Sequence, residues 1–412
     1  MVIGDVAFGG DGVAKVSGLV IFVPFTIDGD EVEVEITEIR KRYARGRLVR
    51  IVTPSIHRVP PACPYYTRCG GCRMQHIDYG HQLELKRRQV EEAFKRIAHI
   101  FPAPVLPVIP SPRPFGWRGK AEFHLAGGRS GPCRVGLMAL ASHDIIEIER
   151  CGIVEESINR KYRNFRDALR SGELRIPGER QLLWSDEPGE PPTGLFTDCG
   201  QPPDVTRIVR GRRLTVPGRG FFQANVALVG ELVDQVIGMG GLSGGETVID
   251  AYAGAGLFSL FLGSKAGSLF GIEGDPEAVR CAEINLYREG IPQAKPIHGD
   301  VADVLREFVL SGVKADLIVL DPPRDGCGEG VLEGVAALRP ERIVYISCNP
   351  ATQARDVRHL AGCGYGLNIL QPLDMFPQTG HIEVIASLNR GHVGTPCGKV
   401  SPARRDRNVF PE

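Results

Sequence analysis

Short runs that alternate apolar and polar residues fill the start of the chain, at Val16 to Pro24, Glu31 to Ile39 and Arg47 to Val52. Turn residues at Gly9-Gly10-Asp11-Gly12 and Asp28-Gly29-Asp30 separate them. A period of two marks half-buried strands, so residues 1–54 are expected to form a small five-stranded, OB-like β-barrel. The period then changes. Leu83, Val90, Phe94 and Ile97 fall at helical spacing after Asp78, which predicts an amphipathic helix from about Tyr79 to Ala98 with those four in core contacts. Prolines crowd residues 102–114, Phe123-His124-Leu125 and Ile145 to Ile148 read as strands, and Asp186 to Thr193 reads as a loop.

From Thr247 onward apolar strands alternate with helical segments: Thr247 to Asp250, Ser268 to Glu273, Ala294 to His298, Asp316 to Asp321, Arg342 to Ser347, and a pair near 365–371 and 382–388. That order predicts a doubly wound, Rossmann-like α/β sheet of seven mostly parallel strands. The chain is thus expected to be multidomain: the barrel at 1–54, a central α+β domain at 55–214, the α/β domain at 215–390 and a basic tail at 391–412 carrying Arg404, Arg405 and Arg407.

Composition changes this picture in two ways. The 49 basic and 49 acidic residues cancel, so a nucleic-acid partner must be sought in local clusters. Two acid-free runs qualify, Arg40, Lys41, Arg42, Arg45, Arg47, Arg50 and Arg58, and Arg207, Arg210, Arg212, Arg213 and Arg219. Each is equally the pattern of a solvated face. No apolar run is long enough to span a bilayer and the N-terminus lacks a signal-peptide layout, so a cytoplasmic monomer with no membrane association is expected. In that compartment the 11 cysteines point to metal or catalytic sites rather than disulfides.

The strand Thr247 to Asp250 runs into Ala251-Tyr252-Ala253-Gly254-Ala255-Gly256, a turn where glycines admit close approach of a ligand. Glu273 ends the next strand, placed to accept hydrogen bonds from ribose hydroxyls, and Asp300 closes the third. Ser259 replaces the third fingerprint glycine, which disfavours a dinucleotide; S-adenosylmethionine carries no phosphate, and its cationic end suits Asp250.

The fourth strand ends in Asp321-Pro322-Pro323-Arg324 and the fifth in Ser347-Cys348-Asn349-Pro350. Arg324 stands where adenine-amino methyltransferases place an aromatic ring, leaving Cys348 as the reactive group. Carbon 5 of a pyrimidine becomes nucleophilic only after addition at carbon 6, which a thiolate performs. The helix start near Ala351 is expected to favour that thiolate, and Glu383 is the best-placed carboxylate to remove the carbon 5 proton. Cys63, Cys69 and Cys72 flank Gly70-Gly71, so three thiolates can converge; Cys151 is the choice for a fourth ligand and Cys133 the runner-up. Spacing alone leaves zinc and an iron–sulfur cluster both open.

Together, Gly9 to Ala14 with Phe22-Val23-Pro24-Phe25, Cys63-x5-Cys69-x2-Cys72, Phe221-Phe222-Gln223-Ala224-Asn225, Asp250 to Phe258, Asp321 to Gly326, Tyr345 to Asp356 and Asp374 to Glu383 resemble the RNA 5-methyluridine methyltransferase family. The similarity is to its 23S ribosomal RNA branch, with a TRAM domain and an iron–sulfur cluster, and covers nearly the whole chain. It implies that Gln223, Tyr252, Gly254, Glu273 and Asp300 contact S-adenosylmethionine, that Asp321 holds the uracil, that Cys348 is the nucleophile and Glu383 the base. It also implies a structural [4Fe-4S] cluster. Relatives often carry cysteine where this chain has Ala253. The competing readings are the same chemistry on a transfer-RNA T-loop, and a non-catalytic iron–sulfur RNA-binding protein.

Overall fold

The structure is a computed structural model that describes residues 1–126, 134–174, 180–193, 195–197 and 202–391. Cys133 and the arginines of the C-terminal tail lie outside the described residues. Strands β1 (Asp5–Val6), β2 (Asp11–Val16), β3 (Leu19–Pro24), β4 (Glu31–Ile39) and β5 (Tyr43–Thr53) form one sheet in the order β1-β2-β3-β5-β4. A bridge between Val2 and Glu31, with Met1 and Val32 exchanging two 2.8 Å backbone hydrogen bonds, returns the chain start to β4 and closes the sheet. Ile3, Ala14, Ile21, Val23, Val32 and Ala44 fill its interior.

The register of this sheet revises the reading of the first basic run. Glu33 stands opposite Arg50, Glu35 opposite Arg47 and Glu38 opposite Arg45, and each pair forms an ion pair. Arg40 also reaches Glu38, and Arg58 reaches buried Asp30. Only Lys41 and Arg42 of that run lack an acidic partner among the described residues. In the second run Arg207, Arg210, Arg212 and Arg213 pair with Glu187, Asp234, Glu289 and Glu190. Runs that are acid-free in sequence are thus largely neutralised across strands.

Helix α1 (Tyr79–Ala93) starts at Asp78, whose carboxylate accepts the His81 N–H, and ends in a single π turn, Phe94–Ala98. Strands β6 (Lys120–Ala126), β7 (Arg134–Met138), β8 (Ile145–Ile146), β9 (Arg180–Trp184) and β10 (Leu195–Thr197) make a second sheet in the order β10-β9-β6-β7-β8. Helix α2 (Glu156–Ser171) covers it, burying Ile158, Tyr162 and Phe165 against Phe123, Val135 and Leu183. A hairpin, β11 (Val205–Val209) and β12 (Arg212–Val216), follows.

The third sheet contains β13 (Thr247–Ala251), β14 (Ser268–Glu273), β15 (Ala294–His298), β16 (Leu317–Leu320), β17 (Arg342–Ser347), β18 (Tyr365–Leu373) and β19 (Glu383–Arg390). Its order is β15-β14-β13-β16-β17-β19-β18, parallel except for β19, which runs antiparallel to both neighbours. Helices α3 (Val229–Gly240), α4 (Leu257–Gly263), α5 (Pro276–Arg288), α6 (Val301–Ser311), α7 (Glu329–Leu338) and α8 (Pro350–Gly362) cover its faces. Val90, Phe94 and Ala98 share a core with Ile249, Val357 and Leu360, while Val209 and Leu214 join Val233 and Leu260. The apolar faces of α1 and of the β11–β12 hairpin, though ahead of residue 215, are therefore buried on this sheet. From β13 the chain builds outward through β14 and β15, then returns to lay β16 on the other side. The carboxyl ends of β13 and β16 thus flank a topological switch point, where ligands of open α/β sheets bind. Among the described residues no helix is long and apolar enough to cross a membrane.

Candidate active site

Asp250 lies at this switch point with its side chain fully buried. The Ser259 hydroxyl donates to Oδ2 at 2.6 Å, while Oδ1 is buried with no partner among the described residues. Burial pushes this carboxyl up to about 7. An orphaned buried carboxylate oxygen fits a ligand that brings a cation or a donor to it. Next in the chain, Tyr252 has φ of +65°, a strained conformation for a bulky residue, and Gly254 has φ of +56° with open space where a Cβ would stand. Glu273 braces this loop: its Oε2 accepts the Gly254 N–H at 2.8 Å and its Oε1 the Asp275 N–H at 2.8 Å. Asp300 is exposed and caps α6, accepting the Ala302 and Asp303 N–H groups at 2.9 and 3.2 Å. Open space at Gly254 and the free Asp250 oxygen fit S-adenosylmethionine.

Beside this cradle the Gln223 amide donates to Asp321 Oδ2 at 3.3 Å, joining the segment before α3 to the end of β16. The antiparallel register sets Ser347 opposite Val384, so Cys348, one residue after Ser347, and Glu383, one residue before Val384, lie at the same end of the sheet. Charge ties these groups together. Burial and the neighbouring Asp250 raise Asp321 to about 7. Burial and then Asp321 hold the Glu383 carboxyl well above its usual range, with Arg324 opposing. Burial and then Glu383 push the Cys348 thiol up to about 11, again against Arg324, whose guanidinium hydrogen-bonds the sulfur.

This overturns one expectation. Cys348 does precede the start of α8, where Asn349 caps the helix by accepting the Ala351 N–H at 3.1 Å. Yet desolvation, Glu383 and Asp321 raise the thiol rather than lower it. The sequence had identified Arg324 only by what it excludes, although it is the cation facing the sulfur. Its loop is fixed from α8: the Asn349 amide and Thr352 hydroxyl donate to the Arg324 carbonyl at 3.2 and 3.1 Å. Asp356 receives the Cys327 N–H and the Tyr345 hydroxyl at 2.8 and 2.7 Å. Sequence reasoning also missed a fully buried ion pair, Lys86 to Asp374 at 2.6 Å, which anchors the loop leading to Glu383. A lysine in an otherwise amphipathic helix gave no signal of it.

The other cysteines gather elsewhere. Cys63, Cys69, Cys72 and Cys151 are free thiols lining one cavity of about 460 Å³, with Arg118 beside Cys151 and Cys72. The Cys69 sulfur accepts a backbone N–H from Gly71, and the Cys151 sulfur accepts from Ile153 and Val154. Among the described residues no three histidine, cysteine or acidic side chains converge closely enough to hold one metal ion. The convergence of three thiolates expected from their spacing is therefore not met in this arrangement: the sulfurs line one cavity without gathering around a point.

Comparison with known proteins agrees with this architecture. Residues 2–49 match the TRAM domain, and residues 209–390 match the tRNA (Uracil-5-)-methyltransferase family. The chain is 32% identical to an RNA methyltransferase of Halalkalibacterium halodurans, over 93% of this chain and 95% of that one. It is 34% identical to an RNA methyltransferase of Bacillus cereus, over 93% and 95%. In fold it is similar to the Pyrococcus abyssi tRNA (uracil-54, C5)-methyltransferase solved with S-adenosyl-L-homocysteine, with a TM-score of 0.73, 24% identity and coverage of 94% and 99%. The chain thus belongs to the RNA methyltransferase family, with residues 2–49 matching its TRAM domain and residues 209–390 the (uracil-5-)-methyltransferase model.

Proposed function

We propose that this protein methylates carbon 5 of a uridine in RNA through a covalent adduct on Cys348. The observation that carries this is the sheet register that brings Cys348 and Glu383 together beside Asp321. Asp321, protonated when buried, donates to the uracil ring and holds it. Cys348 gives its proton to solvent water as Arg324 steadies the sulfur, and the sulfur bonds to carbon 6; the electron pair of the 5,6 double bond moves toward carbon 5 and the ring carbonyl. S-adenosylmethionine, when bound in the Asp250 to Gly254 cradle, supplies an electrophilic methyl group to that carbon. Glu383 then takes the carbon 5 proton, the double bond re-forms and Cys348 leaves with its electron pair. Arg324 stabilises the sulfur as an anion before and after the adduct. Gln223, Tyr252, Glu273 and Asp300 line the cofactor side of the site.

The substrate is 23S ribosomal RNA in this proposal, acted on by a cytoplasmic monomer. A transfer-RNA T-loop is the second reading, favoured by the substrate named for the P. abyssi neighbour. Mapping 5-methyluridine in both RNAs from a strain lacking the gene, with and without its restoration, tests both. Loss at one 23S position is expected; loss confined to transfer RNA selects the second reading, and no loss refutes both. We further propose a barrel domain at 1–54 and a [4Fe-4S] cluster on Cys63, Cys69, Cys72 and Cys151 that serves structure; the limit expected between 55–214 and 215–390 would cut β12, whose residues pack in the core of the third sheet. Protein purified without oxygen should carry iron and absorb in the visible, and Cys69→Ala should lose both; zinc in a colourless protein would overturn the cluster.

A further inference from the structure

We propose that Phe8, on the first turn of the barrel, is a substrate-positioning residue that forms an aromatic ledge with His381 and stacks a nucleobase next to the uridine in the pocket. This rests on the reading of the pocket given above. Phe8 lies in the turn between β1 and β2, followed by Gly9 and Gly10 with φ of +98° and +97°. The turn packs backbone to backbone on the loop that delivers Glu383: a Cβ on Gly380 would stand 2.4 Å from the Gly9 carbonyl carbon. Three elements fix it there. The Gln89 amide of α1 donates to the carbonyls of Val6 and Ala7 at 3.0 and 3.1 Å. Arg73, one residue after Cys72, donates its N–H to the Gln378 carbonyl at 2.9 Å while its guanidinium bonds Asp11 and covers the Phe25 ring at 5.3 Å. Gly10 closes the turn onto Ala7 at 3.0 Å.

On this rigid support the Phe8 ring stays 42% exposed. Single exposed apolar residues are ordinary on protein surfaces. Phe8 differs in what it adjoins. Its ring meets His381 edge-on at 6.3 Å, and His381 meets Phe376 at 6.0 Å, which in turn meets buried Trp117 at 6.3 Å. His381 is two residues from Glu383 and beside Arg324, and burial with nearby cations keeps it neutral near pH 7. A neutral imidazole and a phenyl ring offer π faces to a base. The basic runs are largely spent on internal ion pairs, so charge alone does not hold RNA at this mouth, whereas stacking grips any base.

The test uses the full chain and an unstructured RNA carrying a uridine, with 2-aminopurine beside it. Wild-type binding should quench the 2-aminopurine. Phe8→Leu, which keeps apolar volume without the π face, should weaken RNA binding about tenfold and raise KM for RNA alike. Its affinity for S-adenosylhomocysteine should not move, and Phe8→Tyr should restore RNA binding. Unchanged RNA affinity in Phe8→Leu, no rescue by tyrosine, or no quenching with wild type would overturn the ledge. A wild type that binds and quenches yet forms no 5-methyluridine would instead refute the function proposed for the pocket.

Discussion

Two sets of half-buried cysteines in this chain meet opposite surroundings. At the end of β17, Cys348 is a single sulfur facing two carboxyls and one guanidinium. In the loops beside the middle sheet, Cys63, Cys69, Cys72 and Cys151 line one cavity, and backbone N–H groups point at two of the sulfurs. Burial raises the Cys348 thiol and those of Cys69, Cys72 and Cys151. The first arrangement sets one thiol beside ionisable groups; the second sets thiols beside other thiols and backbone donors.

The sharpest way to break this contrast is to remove the base. Glu383→Gln keeps the shape but not the proton acceptor, so release of methylated RNA should slow about 10²- to 10⁴-fold in single turnover, with protein and RNA remaining joined. In the cavity, Cys151→Ala should act on the fold instead. It is expected to cost more than the ~0.5–3 kcal/mol of an ordinary substitution in denaturant unfolding, while Cys348 still forms its adduct. Loss of the adduct in that variant would erase the distinction.

Much of this was legible from sequence, for identifiable reasons. Parallel strands buried on both faces read as apolar runs, so β13 to β17 and the residues at their ends, Asp250, Glu273, Asp321 and Cys348, stood in the expected places. What was hidden needs register or distant contacts. The ion pairs of Arg47 and Arg50 depend on strand pairing with Glu35 and Glu33. Lys86 and Asp374 are 288 residues apart. The approach of Gly9 to Gly380 joins the first turn of the chain to its last loop. The direction of the Cys348 shift required knowing that Glu383 and Arg324 both face it.

Smaller effects sharpen the comparison through pH. Asp321 is raised from 3.8 to about 7 in the folded chain. Between those values the unfolded chain has lost a proton that the fold retains, so stability should fall as pH rises through this window and level off above it. Asp321→Asn should flatten that slope in urea melts at successive pH values; an unchanged slope would place the titration elsewhere. Smallest of all, alkylation of Cys348 by iodoacetamide, followed on its own peptide, should rise about tenfold per pH unit toward its value of about 11. A plateau near neutrality would mean a preformed thiolate.

The most direct measurement is incubation of the protein and S-adenosylmethionine with RNA in which 5-fluorouridine replaces uridine. Fluorine at carbon 5 leaves Glu383 no proton to remove, so the adduct cannot resolve. Wild type should give a denaturation-stable protein–RNA species joined through the Cys348 peptide, and Cys348→Ala should give none. The same species formed by Cys348→Ala would contradict the account.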